Sequence, residues 1–361
     1  MKATQRLHDL GQSLWLDNIT RDLLDTGALM RYIDELSITG LTSNPTIFER
    51  ALEGSTAYDE AIRDGVRAGL SGEQLFFDLA INDLARAADL FRLIHQQTGG
   101  VDGWVSLEVS PLLAHNSAST LQAAKDLFAR AKRKNLHIKI PGTTEGLSAI
   151  EEATFAGIPV NVTLLFSREH YLAAADAWLR GVERRMEAGL DPDVRSVASV
   201  FVSRWDVAAS SIVPADLANQ LGIAMAGRIY AAARTLQASP RWQRVQNAGV
   251  RPQRLLWAST GTKDPSASAL MYVTAHAAPY TVNTLPETTL LALADHDAPV
   301  HLLSADGGEC EEMIARHARA GVNVDALAAQ LQDEGTEAFV ASWSALIARL
   351  EAKCRTQGRS I

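Results

Sequence analysis

Eight short apolar runs recur along this chain, and helical stretches separate most of them. The runs lie at 14–17, 39–44, 103–110, 136–142, 159–166, 197–204, 254–260 and 280–285. YLAAADAWLRGVERRME (171–187) is one amphipathic separator. The gap between the second and third runs holds two or three helices, including GEQLFFDLAINDLARAADLFRLIHQQ at 72–97. Strands that alternate with helices build a parallel sheet, and eight of them close it. The pattern therefore predicts an α/β chain with a (β/α)8 TIM barrel over residues 1–295. Residues 296–361 are helical in pattern and strand-free, which predicts a C-terminal extension packed on the barrel. Phe76, Phe77, Leu79 and Ile81 in the long helix read as core.

The strands share one parity. Val105, Leu107 and Val109 fall on one face, and Ser106, Glu108 and Ser110 on the other. Ile138 and Ile140 oppose Lys139; Val160, Val162 and Leu164 oppose Asn161 and Thr163; Leu14 and Leu16 oppose Trp15 and Asp17. Gly40, Thr42 and Asn44 share a face in the second run. A sheet with one face in water gives the same alternation. Strand–helix units cover both faces of a sheet, so here the apolar face lies under helices and the polar face points into the barrel. Buried polar groups must be hydrogen-bonded or functional. Their position near strand ends points to a site at the C-terminal mouth.

Composition removes other classes. Lys plus Arg is 34 against 42 Asp plus Glu, a net charge of −8, which argues against a nucleic-acid surface. An anionic substrate must then be held by a few local Lys or Arg residues. No apolar run is long enough for a membrane span, and the first residues show no signal-peptide pattern. Cys310 and Cys354 have no pairing or metal spacing, so free thiols and a cytoplasmic location are expected. The nine His residues show no HxH or HExxH grouping, and no metal is expected. His137 shares the parity of Lys139 but is assigned no role.

The pieces LWLDN with Asp17, TGLTSNPTIF (39–48), SLEVSP with Glu108, HIKIPGT with Lys139, NVTLLFS (161–167) and ASVFVSRWD with Ser199 and Arg204 follow one another along the chain. In this order they closely resemble the transaldolase family, and the resemblance covers roughly residues 10–290. WASTGTKDP (257–265) and TVNTLPETTL (281–290) are similar to its longer bacterial subgroup, which carries a C-terminal helical extension. The resemblance implies a class I aldolase-like, Schiff-base transferase without a cofactor. It would move a dihydroxyacetone unit from a ketose phosphate (fructose 6-phosphate or sedoheptulose 7-phosphate) to an aldose phosphate (erythrose 4-phosphate or glyceraldehyde 3-phosphate). That reaction belongs to the non-oxidative pentose phosphate pathway.

On this resemblance Lys139 is the nucleophile, Asp17 the general acid–base, and Glu108 with Thr163 the holder of a proton-relaying water. Asn44, Thr42 and Asn161 are expected to meet substrate hydroxyls, and Ser199 to lie near the imine carbon. The structural alternatives are snorkelling from a strand edge for Lys139, an N-cap for Asp17, a buried ion pair with Lys139 for Glu108, and interior hydrogen bonding for Asn44, Thr42, Asn161 and Ser199. Phosphate would lie at Arg204, taken as the end of strand six, and on the loop Ser259–Lys263 after strand seven. The better-known family branch has Ser-Phe-Arg here, so Lys263 is either its positional substitute or a solvated loop charge. Rival readings are an aldolase that releases free dihydroxyacetone, a sugar-phosphate-sensing barrel and a metal enzyme. The shorter aldolase relatives carry Gln at the position of Glu108. A sensing barrel would be expected to lack Lys139 or Asp17. Sugar phosphates are the expected partners, and the sequence is compatible with a monomer or a homodimer.

Overall fold

The computed structural model describes residues 1–53, 55–297 and 302–358. Eight parallel strands run in chain order around a closed barrel. They are β1 (Ser13–Leu16), β2 (Ile38–Thr42), β3 (Trp104–Glu108), β4 (Leu136–Pro141), β5 (Val160–Leu165), β6 (Ser196–Phe201), β7 (Arg254–Ala258) and β8 (Val282–Leu285). Every predicted run overlaps one strand, so the barrel is as expected from the alternation. Between β2 and β3 lie three helices, Pro45–Leu52, Asp59–Arg67 and Gly72–Gln97. None of the helices described is long and apolar enough to cross a membrane.

Parity governs the two faces as read, except that Leu164, expected on the outer face with Val160 and Val162, falls in the inner cluster because the β5 register slips between Val162 and Leu165. Leu14, Leu16, Val105, Leu107, Ile138, Ile140, Val160, Val162, Val200 and Leu255 all sit in one buried apolar cluster under the outer helices. The inward residues form layers. In the interior Trp15, Trp104, Val197 and Val282 pack into a second cluster with Leu256, which also lines the cavity above, so the barrel is filled and not a pore. Gly40 makes this possible: a Cβ there would lie 2.6 Å from the Trp15 indole nitrogen and 2.6 Å from the Trp104 carbonyl oxygen.

The strand ends are set by helix caps. Asn44, Thr143 and Ser167 each follow a strand by two residues and accept a backbone N–H of the next helix, at 3.1 Å in all three cases. Their helix N-termini therefore face the C-terminal mouth, where they favour anions. A second expectation needs correction. Arg204 does not end β6: the strand stops at Phe201 and Arg204 lies in a helix, Ser203–Ala209. The Ser203 hydroxyl and N–H turn toward Ser259 at the end of β7, at 2.9 and 3.1 Å, and this breaks the extended run.

After the barrel come helices Cys310–Arg319 and Val324–Gly358. The second lies along the three helices of the β2–β3 insertion. Its Trp343 ring packs on Phe76 and Phe77, with centroids at 4.9 and 5.5 Å, and its indole N–H donates to Glu73 at 2.7 Å. Lys353 closes the far end on Asp59 at 2.8 Å. Leu346 and Leu350 are fully buried in the outer cluster.

Candidate active site

The inward residues at the C-terminal ends of the strands line a cavity of about 330 Å³. Lys139, on β4, reaches it from a position that is 6% exposed. Its Nζ donates to Glu108 Oε2 on the neighbouring strand β3 at 3.0 Å and to the Ser43 carbonyl at 3.4 Å. Register causes this meeting, because Glu108 and Lys139 are direct partners across the β3–β4 pair. Burial pushes the Glu108 carboxyl above its ordinary range, and the Lys139 charge opposes that shift. The ion pair offered as the structural alternative for Glu108 is therefore formed.

Asp17 follows β1 and lines the same cavity. It caps no helix: the next one, Arg21–Asp25, is capped by Thr20. Asp17 Oδ1 accepts the Thr42 hydroxyl at 2.9 Å and faces the Asn44 amide at 3.5 Å. Thr42 Oγ1 also lies 2.8 Å from Thr284 Oγ1. Since Thr42 gives its proton to the carboxylate, Thr284 must donate to Thr42. Burial raises the Asp17 pKa, while Lys139, Thr42 and Lys263 lower it.

Ser199 donates to Asn161 Oδ1 at 2.7 Å, and Asn161 donates to Ser106 Oγ at 3.0 Å. This interior chain runs beside Lys139, the register partner of Asn161. Thr163 Oγ1 is buried on the cavity wall and has no hydrogen-bond partner among the described residues. Just beyond it β5 bulges: the register slips between Val162 and Leu165, and Leu164 takes a φ of 60°. A bulky residue in the left-handed region marks a strained, often functional, position.

Three cations besides Lys139 line the same cavity, Arg50, Arg204 and Lys263, with Ser259 and Gly261 between the last two. None of them is ion-paired among the described residues. Every predicted site residue except Glu108 and Asn161 lines this cavity, and those two touch residues that do. The sequence reading missed Arg50, Thr284, Phe201 and Phe339. Thr284 was available from parity, two residues after Val282. Arg50 and Phe339 lie on helices whose docking no strand pattern encodes.

His137 sits inside the barrel between the Trp15 and Trp104 rings, at 6.0 and 4.1 Å. Its ring nitrogens lack partners among the described residues, and burial pushes its pKa down to about 3, so it is a neutral packing residue.

Comparison with known proteins covers the whole arrangement. The profile of the Transaldolase/Fructose-6-phosphate aldolase family matches residues 14–350. A protein named "Transaldolase" from Thiobacillus denitrificans is 41% identical over 97% of this chain and 100% of its own length. One from Thermobifida fusca is 42% identical over 96% of both chains. "Transaldolase 2" from a Nostoc species is 37% identical over 97% of both.

Proposed function

Because the chain belongs to the transaldolase/fructose-6-phosphate aldolase family, we propose that its barrel mouth transfers a dihydroxyacetone unit through a Schiff base on Lys139. Its activity is that of a transaldolase, a transferase. What most supports the covalent reading is the buried Lys139 Nζ held 3.0 Å from Glu108 on the wall of a cavity rimmed by three unpaired cations.

The chemistry follows from the contacts. Glu108, with a raised pKa, accepts a proton from the Lys139 ammonium and frees its lone pair. The amine adds to C2 of fructose 6-phosphate or sedoheptulose 7-phosphate, and loss of water gives an iminium. A water between Glu108 and the unpartnered Thr163 hydroxyl relays the protons of that dehydration. Asp17 then takes the C4 hydroxyl proton. The C3–C4 bond breaks, its electrons pass into the iminium, and the aldose phosphate departs. The resulting enamine attacks the aldehyde of erythrose 4-phosphate or glyceraldehyde 3-phosphate, and Asp17 returns the proton. Water finally releases the new ketose from Lys139. Thr42 and Asn44 orient Asp17; Asn44, Asn161 and Ser199 offer hydrogen bonds to the substrate's hydroxyls. Arg204, Lys263 and Ser259 bind the phosphate, with Arg50 as a further cation. The reaction places the enzyme in the non-oxidative pentose phosphate pathway, and the free thiols of Cys310 and Cys354 suit the cytoplasm.

The test is a coupled assay with fructose 6-phosphate, with and without erythrose 4-phosphate, following glyceraldehyde 3-phosphate. Product that requires the acceptor, together with borohydride trapping at Lys139, is the expected result. Product of equal rate without acceptor identifies an aldolase instead. Absence of trapping with active enzyme removes the Schiff base.

A further inference from the structure

The C-terminal helix Val324–Gly358 enters the catalytic cavity. Its residues 332, 335, 339 and 342 recur at helical spacing and therefore share one face. Gln332 donates to the carbonyls of Gly142 and Leu164, at 3.1 and 2.9 Å, just beyond β4 and within the β5 bulge. Gly335 lies so close to the Leu164 side chain that a Cβ would come within 2.9 Å of it. Phe339 lines the cavity, with its ring 5.4 Å from Lys139 Nζ and 6.5 Å from the Phe201 ring. Ser342 accepts the hydroxyl of Thr46, another cavity residue, at 2.9 Å. The opposite anchoring, through Trp343 and Lys353, fixes the helix on the insertion helices.

We propose that this helix face is the roof of the active site, and that Phe339 keeps solvent off the nucleophilic carbon of the enamine on Lys139. The inference rests on the covalent reading above. Once the aldose phosphate has left, the enamine on Lys139 has two fates. Its nucleophilic carbon can form a bond to the acceptor aldehyde, which is transfer. Alternatively that carbon takes a proton, water adds to C2, and the C2–Nζ bond breaks to give dihydroxyacetone and the free amine. The second route starts with a solvent proton reaching that carbon, which the apolar Phe339 ring shields from the roof side, whereas hydrolysis of the final ketose draws on the relay water at Glu108 and Thr163. An aromatic ring there excludes water and at the same time offers its face to the cationic iminium.

The experiment compares wild-type enzyme with Phe339→Ala and Phe339→Leu. Fructose 6-phosphate is supplied with limiting erythrose 4-phosphate, and free dihydroxyacetone is measured against sedoheptulose 7-phosphate. Phe339→Ala is expected to raise the ratio of dihydroxyacetone to transfer product by about tenfold or more, equivalent to ~1.4 kcal/mol between the two barriers. Phe339→Leu keeps an apolar volume and is expected to fall between. Stoichiometric borohydride trapping in each variant shows that the site is folded; if the alanine variant fails to trap, the leucine variant decides. An unchanged ratio in a variant that traps normally overturns the roof while leaving the Schiff base standing. Failure of wild-type enzyme to trap overturns the covalent reading and the roof with it.

Discussion

The two ends of this barrel treat charge in opposite ways. At the N-terminal end Arg254 points inward and is consumed: it donates to Ser13 Oγ at 2.5 Å, to the Thr281 and Val101 carbonyls at 2.8 and 2.9 Å, and pairs with Asp102 at 3.2 Å. Arg195 nearby is bound to the Gly99 and Gly100 carbonyls, both at 2.9 Å. At the C-terminal end Thr163 is left unpartnered and Arg50, Arg204 and Lys263 carry no ion pair among the described residues. A single strand, β7, contributes Arg254 to the plug and leads into Ser259 of the mouth, only five positions apart. Cations spent on carbonyls and a carboxylate hold the fold together, whereas cations left without an ion pair around a cavity are available to an anionic ligand.

Lys139→Met is the strongest way to break that contrast. It removes the attacking amine, so transfer is expected to fall by on the order of 10⁴–10⁶, as for loss of a covalent nucleophile. Glu108, left without its partner, takes up a proton rather than stay charged in the interior. That protonation offsets part of the ~3–5 kcal/mol typical of a broken buried pair, so denaturant unfolding is expected to show a smaller loss, and borohydride trapping is expected to vanish. Full trapping in this variant places the reactive amine elsewhere.

Asp17→Asn comes next. Proton transfer at the C4 hydroxyl is worth about 10²–10⁴-fold, while Schiff-base formation needs no proton at that atom. Trapping is thus expected to survive as turnover falls. Burial raises the Asp17 pKa, so the acid limb of kcat in the wild-type enzyme is expected above the ordinary carboxylate value of ~3.9 and to be lost in the variant. Burial also ties this proton more tightly to the folded chain. Its contribution to stability is full below the unfolded pKa and falls as pH rises through the folded one. An acid limb that persists unchanged in Asp17→Asn assigns it to another group.

Arg254→Met attacks the plug. Breaking a buried pair strands Asp102 and costs about 3–5 kcal/mol. Chemical denaturation is expected to show that loss, with trapping per folded molecule unchanged. A variant of normal stability that no longer traps would erase the distinction between the two ends.

How far the sequence foretold these ends depends on whether a residue's neighbours are local. Side chains on a strand alternate with period two, so Asp17, Glu108, Lys139, Asn161 and Thr163 were legible as one inward set, and the closed barrel turned them toward each other. Arg204 was assigned to the end of a strand that stops three residues earlier, because the hydrogen bonds that end β6 go to Ser259, just after β7. The Leu164 bulge had no local signal. A left-handed leucine costs about 1–3 kcal/mol, and one of the groups that hold it is Gln332, 168 positions away. The tail read only as helices packed on the barrel, since helical periodicity tells which face is apolar but not where the helix docks. Phe339 became visible only when Trp343 and Lys353 fixed that docking.

Lys263→Ala is expected to have the smallest effect and sharpens the contrast most finely. Lys263 follows β7 on the loop that begins with Ser259 at a φ of 56°, and the cavity side of that loop also presents Gly261. A lysine meets phosphate as a single point charge, and Arg50 and Arg204 remain beside it. Loss of one charge-assisted hydrogen bond of ~1.5 kcal/mol corresponds to about a tenfold rise in KM for fructose 6-phosphate, with kcat nearly unchanged. Turnover of free fructose, which lacks the phosphate, is expected to be indifferent to the change. Equal losses on both substrates would mean that Lys263 acts on Asp17, whose pKa it lowers, and not on the phosphate.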